Sequence, residues 1–287
     1  MEDKSSILKG IAYSLSKRYI AGASTAAMLK VVGKINEDLK AKTTVTFLNN
    51  HVNDLVKARY NANTYMQTAK QLSRLGLRAD VSLRPSQIGS TISNGLFKKN
   101  ANALLSCMED GSRLWIECEN STGNNGTLYS LRRIGEDYSK LGVELNVDDS
   151  LEYISHKLPE DVAIKLFYHK NSADKAHSEA YIKVIDKIAS TSRPTMVSSR
   201  DLKWLGRISR AKKAYKRNLT FEMPLGYNNK LMGLIKDSRY ASIYVPYGKD
   251  WVPYVLNRIA EGRVKRIAER VLKNGNGASD GNKKKGK

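Results

Sequence analysis

The chain has 287 residues, 41% of them hydrophobic and 27% charged, which is enough apolar surface to offset the entropy of ordering the backbone and too much for wholesale disorder. Lys and Arg number 49 against 28 Asp and Glu, a formal net charge of +21 that favours polyanions, whether nucleic acid, acidic lipid or a phosphate-bearing cofactor. Apolar runs such as residues 243–245 fall far short of the ~20 residues a bilayer crossing needs. The opening residues alternate charge and Ser without a secretory apolar region, and Cys107 and Cys118 have neither CxxC spacing nor a nearby His. A disulfide framework and a zinc site are therefore not expected, and reduced thiols in a cytoplasmic protein are.

Taken in chain order, a basic amphipathic opening helix, part of an N-terminal helical extension over residues 1–40, is followed by short β-branched or aromatic runs that alternate with amphipathic helical stretches. The runs at residues 43–48, 80–83, 113–119, 143–147, 162–168, 194–198, 219–223 and 242–246 predict eight strands. Helices are expected between them, as at 52–75, 93–108, 126–141, 173–189 and 201–216. Such spacing suits parallel strands joined by crossover helices, and eight units close a (β/α)8 barrel over residues 41–273. An open doubly wound sheet is the alternative, but no Gly-x-Gly-x-x-Gly follows any strand. Gly76, Gly111 and Gly142 stand between a helix and a strand, where a left-handed cap is expected. Residues 274–287, rich in Gly, Asn, Ser and Lys, read as a disordered basic tail.

In such a barrel, chemistry gathers at the C-terminal ends of the strands. The residues to weigh are Asn49, Asn50, Arg84, Glu117, Glu119, Asn146, Asp148, residues 165–169, Ser198, Ser199, Glu222 and Tyr244. They form no compact triad or metal cluster in sequence, and His51 and His169 are singletons read as surface or loop residues.

Three segments, in order and on the expected elements, resemble the flavin-dependent proline dehydrogenase family. Arg-Tyr-Ile-Ala-Gly at 18–22 is similar to the stretch that enters that family's barrel, and Val-Ser-Leu-Arg-Pro-Ser-Gln-Ile-Gly at 81–89 to its second strand and following turn. The most specific is 244–261, Tyr-Val-Pro-Tyr-Gly-Lys-Asp-Trp-Val-Pro-Tyr-Val-Leu-Asn-Arg-Ile-Ala-Glu, which is similar to its eighth strand and last helix. Phe221-Glu222 is a fourth, weaker match on strand seven.

The resemblance implies FAD as cofactor and L-proline as substrate, oxidised to 1-pyrroline-5-carboxylate by hydride transfer to the flavin N5. It also implies a quinone as electron acceptor. In the last helix the family's Tyr-x-x-Arg-Arg-x-x-Glu pattern becomes Tyr254, Asn257, Arg258 and Glu261, so that Arg258 is the implied clamp for the substrate carboxylate and Asn257 replaces a second arginine. Tyr244 is implied to lay its ring on the substrate, while Arg84 stands for a strand-two lysine and Glu117 for a strand-three aspartate. For the cofactor, Asn146 takes the place of a strand-four glutamine. Lys165 and Tyr168 take the places of an arginine and a lysine on strand five, Ser198 and Ser199 those of a Thr-His pair on strand six, and Glu222 is the matched strand-seven carboxylate.

Two further readings stay open. One is a diverged barrel that oxidises another secondary amine. The other is a catalytically inactive barrel whose charge binds polyanions, including peripheral contact with the inner face of a membrane through its basic surface; no specific nucleic-acid recognition module is expected.

Overall fold

The computed structural model describes residues 18–49, 54–119, 123–134, 138–146, 157–168, 193–199, 219–226 and 237–260, together with residues 16, 52, 182, 185, 188, 205–206, 208, 232–233 and 235. Eight strands, each parallel to its neighbours, close in sequence order: β1 (Lys42–Phe47), β2 (Ala79–Leu83), β3 (Leu114–Ile116), β4 (Leu141–Asn146), β5 (Ala163–Tyr168), β6 (Thr195–Ser199), β7 (Leu219–Pro224) and β8 (Ala241–Tyr247). The last strand returns to the first over the pairs from Lys42 with Ser242 to Phe47 with Tyr247. The expected (β/α)8 barrel is therefore the fold, and closure removes the open sheet edges that the alternative would leave.

Five helices among the described residues are α1 (Thr25–Asp38), α2 (Leu55–Arg74), α3 (Asn94–Leu105), α4 (Gly123–Ile134) and α5 (Trp251–Ala260). The first three begin where a side chain satisfies an otherwise orphaned backbone N–H: Ser24 accepts from Ala27, Asp54 from Lys57 and Ser93 from Leu96. Their buried faces recur at helical spacing, as Met28, Val32 and Ile35 show in α1. These faces join Val45, Val81, Ile116, Val143, Leu166 and Ile243 from the outward side of the sheet in one core. Of the helices expected at 173–189 and 201–216, most residues lie outside the described ones, but Ile185, Ile188, Leu205 and Ile208 are buried in that core.

Some boundaries differ from the expectation. The helix expected at 126–141 runs instead over Gly123–Ile134, and β4 begins at Leu141. The ladder of β3 is confined to Leu114–Ile116, with Glu117 just beyond it donating its backbone N–H to the Leu83 carbonyl at 2.9 Å. Gly76 and Gly111 have positive φ, as expected of caps, whereas Gly142 lies inside β4 with no such conformation. Space and not φ demands glycine there, because a Cβ on Gly142 would overlap the Trp115 indole. The 274–287 tail lies outside the described residues.

The inward side of the sheet is unusually polar. Near its floor, Trp115, Ala163 and Met196 form a small apolar cluster. Asp80 anchors that end, with Lys42 Nζ at 2.7 Å and the Trp115 indole N–H donating at 3.0 Å. Above it stand Thr44 and Ser242, hydroxyl to hydroxyl at 3.1 Å, and then a layer of charged groups.

Candidate functional site

The C-terminal end of the barrel holds an ion cluster contributed by residues on or just beyond β2 to β8. Glu117 Oε1 accepts from the Ser82 hydroxyl at 2.8 Å and from the Tyr244 phenol at 2.7 Å, and its Oε2 lies 3.4 Å from Arg84 Nε. Across the barrel, Glu222 Oε2 accepts from the Ser198 hydroxyl at 3.0 Å and lies 3.2 Å from Lys165 Nζ. Lys165 is wholly buried, and its ammonium stands 5.2 Å from the centre of the Trp115 ring and 5.5 Å from that of Tyr244, within cation–π range of both. The contact with Glu222 is an ion pair in which no N–H of Lys165 finds a well-aligned acceptor, and Glu222 Oε1 is buried with no hydrogen-bond partner.

Arg84 is positioned by a network that ties the ends of β1 and β2 together. Its backbone N–H donates to Gln87 Oε1 at 2.9 Å, the same oxygen that accepts the Tyr65 phenol at 2.9 Å. The Gln87 amide in turn donates to the Phe47 and Asn49 carbonyls at 2.8 and 3.1 Å, and Asn61 donates to the Gln87 carbonyl at 3.0 Å. These buried, matched polar groups fix the turn that presents the guanidinium, which is about half exposed at 47%.

Tyr244 and α5 are positioned at the seam where the barrel closes. Residues of the 18–22 segment meet the end of β8 directly: Ala21 donates to the Pro246 carbonyl at 2.8 Å, and Gly248 to that of Gly22 at 2.9 Å. Two of the resemblance segments are thus in contact. Gly248 has φ 131°, and a Cβ there would meet the Leu48 carbonyl at 2.7 Å, so glycine is required on both counts. Ile20, Leu48, Val255, Trp251 and Tyr254 form a separate apolar cluster that seats α5 on this seam.

Burial acts on every member of the cluster, and neighbouring charges decide the outcome. Burial alone would raise the Glu117 carboxyl, but the Arg84 guanidinium, the Lys165 ammonium and the two hydroxyls outweigh it and hold it below the usual carboxylate range. Burial alone would lower the Lys165 ammonium, but Glu222, Glu144 and Glu117 hold it above its ordinary value. Burial, reinforced by the Glu117 charge, pushes the Tyr244 phenol well above its usual range. Glu144 differs from the other carboxyls: burial first, then Glu117 and Glu222, push it up to about 8 against the pull of Lys165 and Arg84.

Of the residues expected from the sequence, Arg84, Glu117, Tyr244, Lys165, Ser198 and Glu222 are brought into this one cluster. Asn146 ends β4, with its amide 3.5 Å from Cys118 Sγ, and Ser199 is buried at the end of β6 beside Tyr168 in register. Tyr254 packs on the seam and Asn257 is exposed on α5, where Arg258 follows it in the same helix. Glu261, His51 and His169 lie outside the described residues. Ser82 and Glu144 were absent from the expected set. The two-residue period was the available signal: Ser82 lies two before Arg84, and Glu144 two before Asn146, on the same inward face.

Asn146 stands one inward position nearer the C-terminal end of the barrel than Glu144, which is level with Lys165. A flavin ring presents acceptor nitrogens and carbonyl oxygens, and the Asn146 amide, the Ser198 hydroxyl and the Lys165 ammonium are donors of the kind it needs. The residues present therefore suit the cofactor that the resemblance implies, with Asn146 nearer that end and Lys165 acting from beneath through its charge. Among the described residues no group of His, Cys, Asp and Glu is arranged to hold a metal ion. No helix among them is long and apolar enough to cross a membrane.

A closed parallel barrel with charged groups gathered at the C-terminal ends of its strands is the arrangement of (β/α)8 barrel enzymes. Within that class the chain is similar to proline dehydrogenases. It is 22% identical over 261 residues to proline dehydrogenase 1 of Bacillus subtilis subsp. natto, covering 86% of each chain. It is 24% identical over 266 residues to proline dehydrogenase 2 of Bacillus subtilis strain 168, covering 85% of each. Among solved structures, proline utilization A of Bdellovibrio bacteriovorus superposes with a TM-score of 0.73 at 16% identity over 89% of this chain. The corresponding protein of Corynebacterium freiburgense superposes with a TM-score of 0.64 at 13% identity over 90%. The chain spans about a third of those two proteins, 33% and 32% respectively. No protein-family model matches it. The resemblance read from three short segments thus extends along most of the chain, weak in residue identity and consistent in length and fold.

Proposed function

We propose that this chain is a flavin-dependent dehydrogenase that oxidises L-proline to 1-pyrroline-5-carboxylate. The observation that carries the reading is the Arg84–Glu117–Tyr244 constellation, contributed by the ends of β2 and β3 and the middle of β8. It offers a half-exposed guanidinium, a carboxylate held ionised and an aromatic face to a small zwitterion at one point of the mouth. Relatives named for proline dehydrogenation, matched over most of their length, support the same substrate.

In this reading bound FAD supplies the two-electron acceptor, which no side chain can. The protein binds and orients. Arg258 on α5 and Arg84 at the rim pair with the substrate carboxylate, each charge-assisted hydrogen bond contributing ~1.5–3 kcal/mol. The Tyr244 ring supports the ring carbons of the substrate, and its phenol stays protonated and bonded to Glu117, so that it orders that carboxylate and takes no proton itself. Asn146, Lys165, Tyr168, Ser198, Ser199 and Glu222 form the cofactor side of the site. The electron acceptor that restores the oxidised cofactor is a quinone in this reading.

The test is the absorption spectrum of the purified protein, before and after anaerobic addition of L-proline. A flavin spectrum bleached by proline is the expected result, and a protein that takes up no added FAD overturns the reading. A second reading, oxidation of another secondary amine, is favoured by Asn257, which stands exposed where the resemblance expects a second carboxylate-binding arginine. A flavin bleached by a cyclic secondary amine lacking the carboxylate, and not by L-proline, distinguishes it.

A further inference from the structure

The charged layer of the barrel does not balance. Facing one another there are three carboxyls, Glu117 from the end of β3, Glu144 from β4 and Glu222 from β7, and two cations, Arg84 from the end of β2 and Lys165 from β5, with the Tyr244 phenol from β8. With each of these described groups ionised, they carry one negative charge in excess. Glu117 is satisfied by two hydroxyls and a guanidinium, and Glu222 by a hydroxyl and an ammonium.

Glu144 is the member left over. It sits in register beside Lys165, yet Lys165 pairs with Glu222, and no hydrogen bond or ion pair to another described residue engages the Glu144 carboxyl. It is enclosed by protein atoms and still keeps some solvent-accessible surface, whereas Lys165 and Glu222 keep almost none. A carboxyl with no hydrogen-bond or ion-pair partner among the described residues, in a layer whose described members are one positive charge short, and with some surface still open to solvent, is suited to a cationic ligand.

We infer that Glu144 is the group that accepts the ammonium proton of the bound substrate. This rests on the reading of the site as one that oxidises a secondary amine. The ring nitrogen of such a substrate enters as a cation, and its lone pair must be freed before the adjacent C–H bond can lose a hydride. The ammonium supplies the missing positive charge, which favours ionised Glu144. The proton then passes from nitrogen to a Glu144 oxygen, leaving a neutral amine and a neutral carboxyl. As the C–H bond breaks with both electrons going to the flavin oxidant, the nitrogen lone pair becomes the second bond of C=N. The iminium product carries the positive charge that balances the hydride removed, and the proton on Glu144 is released to water at the mouth. Ionisation of Glu144 at about 8 in the free protein places the group where proton acceptance is effective near neutral pH.

The test is the pH dependence of kcat/KM for L-proline in the FAD-loaded protein and its Glu144→Gln variant. In the unaltered protein the profile is expected to rise and level near pH 8. Without Glu144 the substrate must lose its proton to solvent, as an aliphatic amine does only near pH ~10. E144Q therefore keeps rising to that pH and is roughly a hundredfold slower near neutrality. Glu144→Asp retains the lower break with a reduced plateau, a pattern that a purely structural role does not give. Infrared difference spectra of the unliganded protein supply a second readout. A protonated-carboxyl carbonyl band that disappears across pH 8 and is absent in E144Q supports the proposal, and its absence from the unaltered protein overturns it. An E144Q profile with an unmoved break overturns the proposal alone. A flavin-loaded protein that L-proline does not reduce overturns both the proposal and the functional reading.

Discussion

Replacing Lys165 by Met tests whether the charged layer is held together as described. The ammonium lies 3.2 Å from Glu222 in a wholly buried setting, and at an effective dielectric constant of about 20 that separation corresponds to an attraction of about 5 kcal/mol. Desolvation of both ions offsets much of this in the intact pair, but removing one partner leaves Glu222 buried without its counter-charge beside Glu117 and Glu144. K165M is therefore expected to lose ~3–5 kcal/mol at pH 7. The loss should shrink as pH falls and the stranded carboxyls take up protons. The double variant K165M/E222Q removes both charges and is expected to recover most of the loss. Urea denaturation followed by circular dichroism, with a matched set at pH 5, measures all three proteins. A K165M loss below ~1 kcal/mol, or a double variant no more stable than the single one, would refute the argument that these two ions compensate each other.

Glu144 makes stability depend on pH with a definite sign. Its folded-state value is raised from 4.5 to about 8, so the folded protein binds more protons than the unfolded chain between those limits. Stability from this group is complete below the unfolded value and is lost as pH rises through the folded one, at no more than ~1.4 kcal/mol per pH unit. Urea midpoints should therefore fall for the unaltered protein relative to E144Q between pH 5 and pH 8, and parallel curves would contradict this. Gly142→Ala drives a methyl into the Trp115 indole and is expected to cost ~1–3 kcal/mol, read as a lower thermal midpoint, with Gly95→Ala, where a Cβ meets open space, as the control. Asn257→Arg returns a second guanidinium to α5 and is expected to lower KM for L-proline about tenfold. An unchanged KM in a flavin-loaded protein would mean that the substrate carboxylate lies away from this position.

The eight strands, the order in which they occur and the helices α1 to α3 were legible in the sequence because each rests on a local pattern. β-branched and aromatic runs mark the strands and amphipathic stretches mark the helices, and the caps that the structure shows, Ser24, Asp54 and Ser93, act within a few residues of themselves. The same locality explains why Arg84, Glu117 and Asn146 were singled out, since each stands at the end of a strand, whereas Tyr244, expected there too, lies in the middle of β8. Gly142 was misread as a helix cap because the ring that requires it, Trp115, belongs to the neighbouring strand and is invisible from the local run. Closure of the barrel alone decided which charges meet. It brought Tyr244 to Glu117, 127 residues apart, and gave Lys165 to Glu222 and not to Glu144, its neighbour in register. The sequence determined which residues face inward. How much charge they must share, and therefore which carboxyl keeps a proton, depends on distances and burial that arise only when the strands close around a common axis.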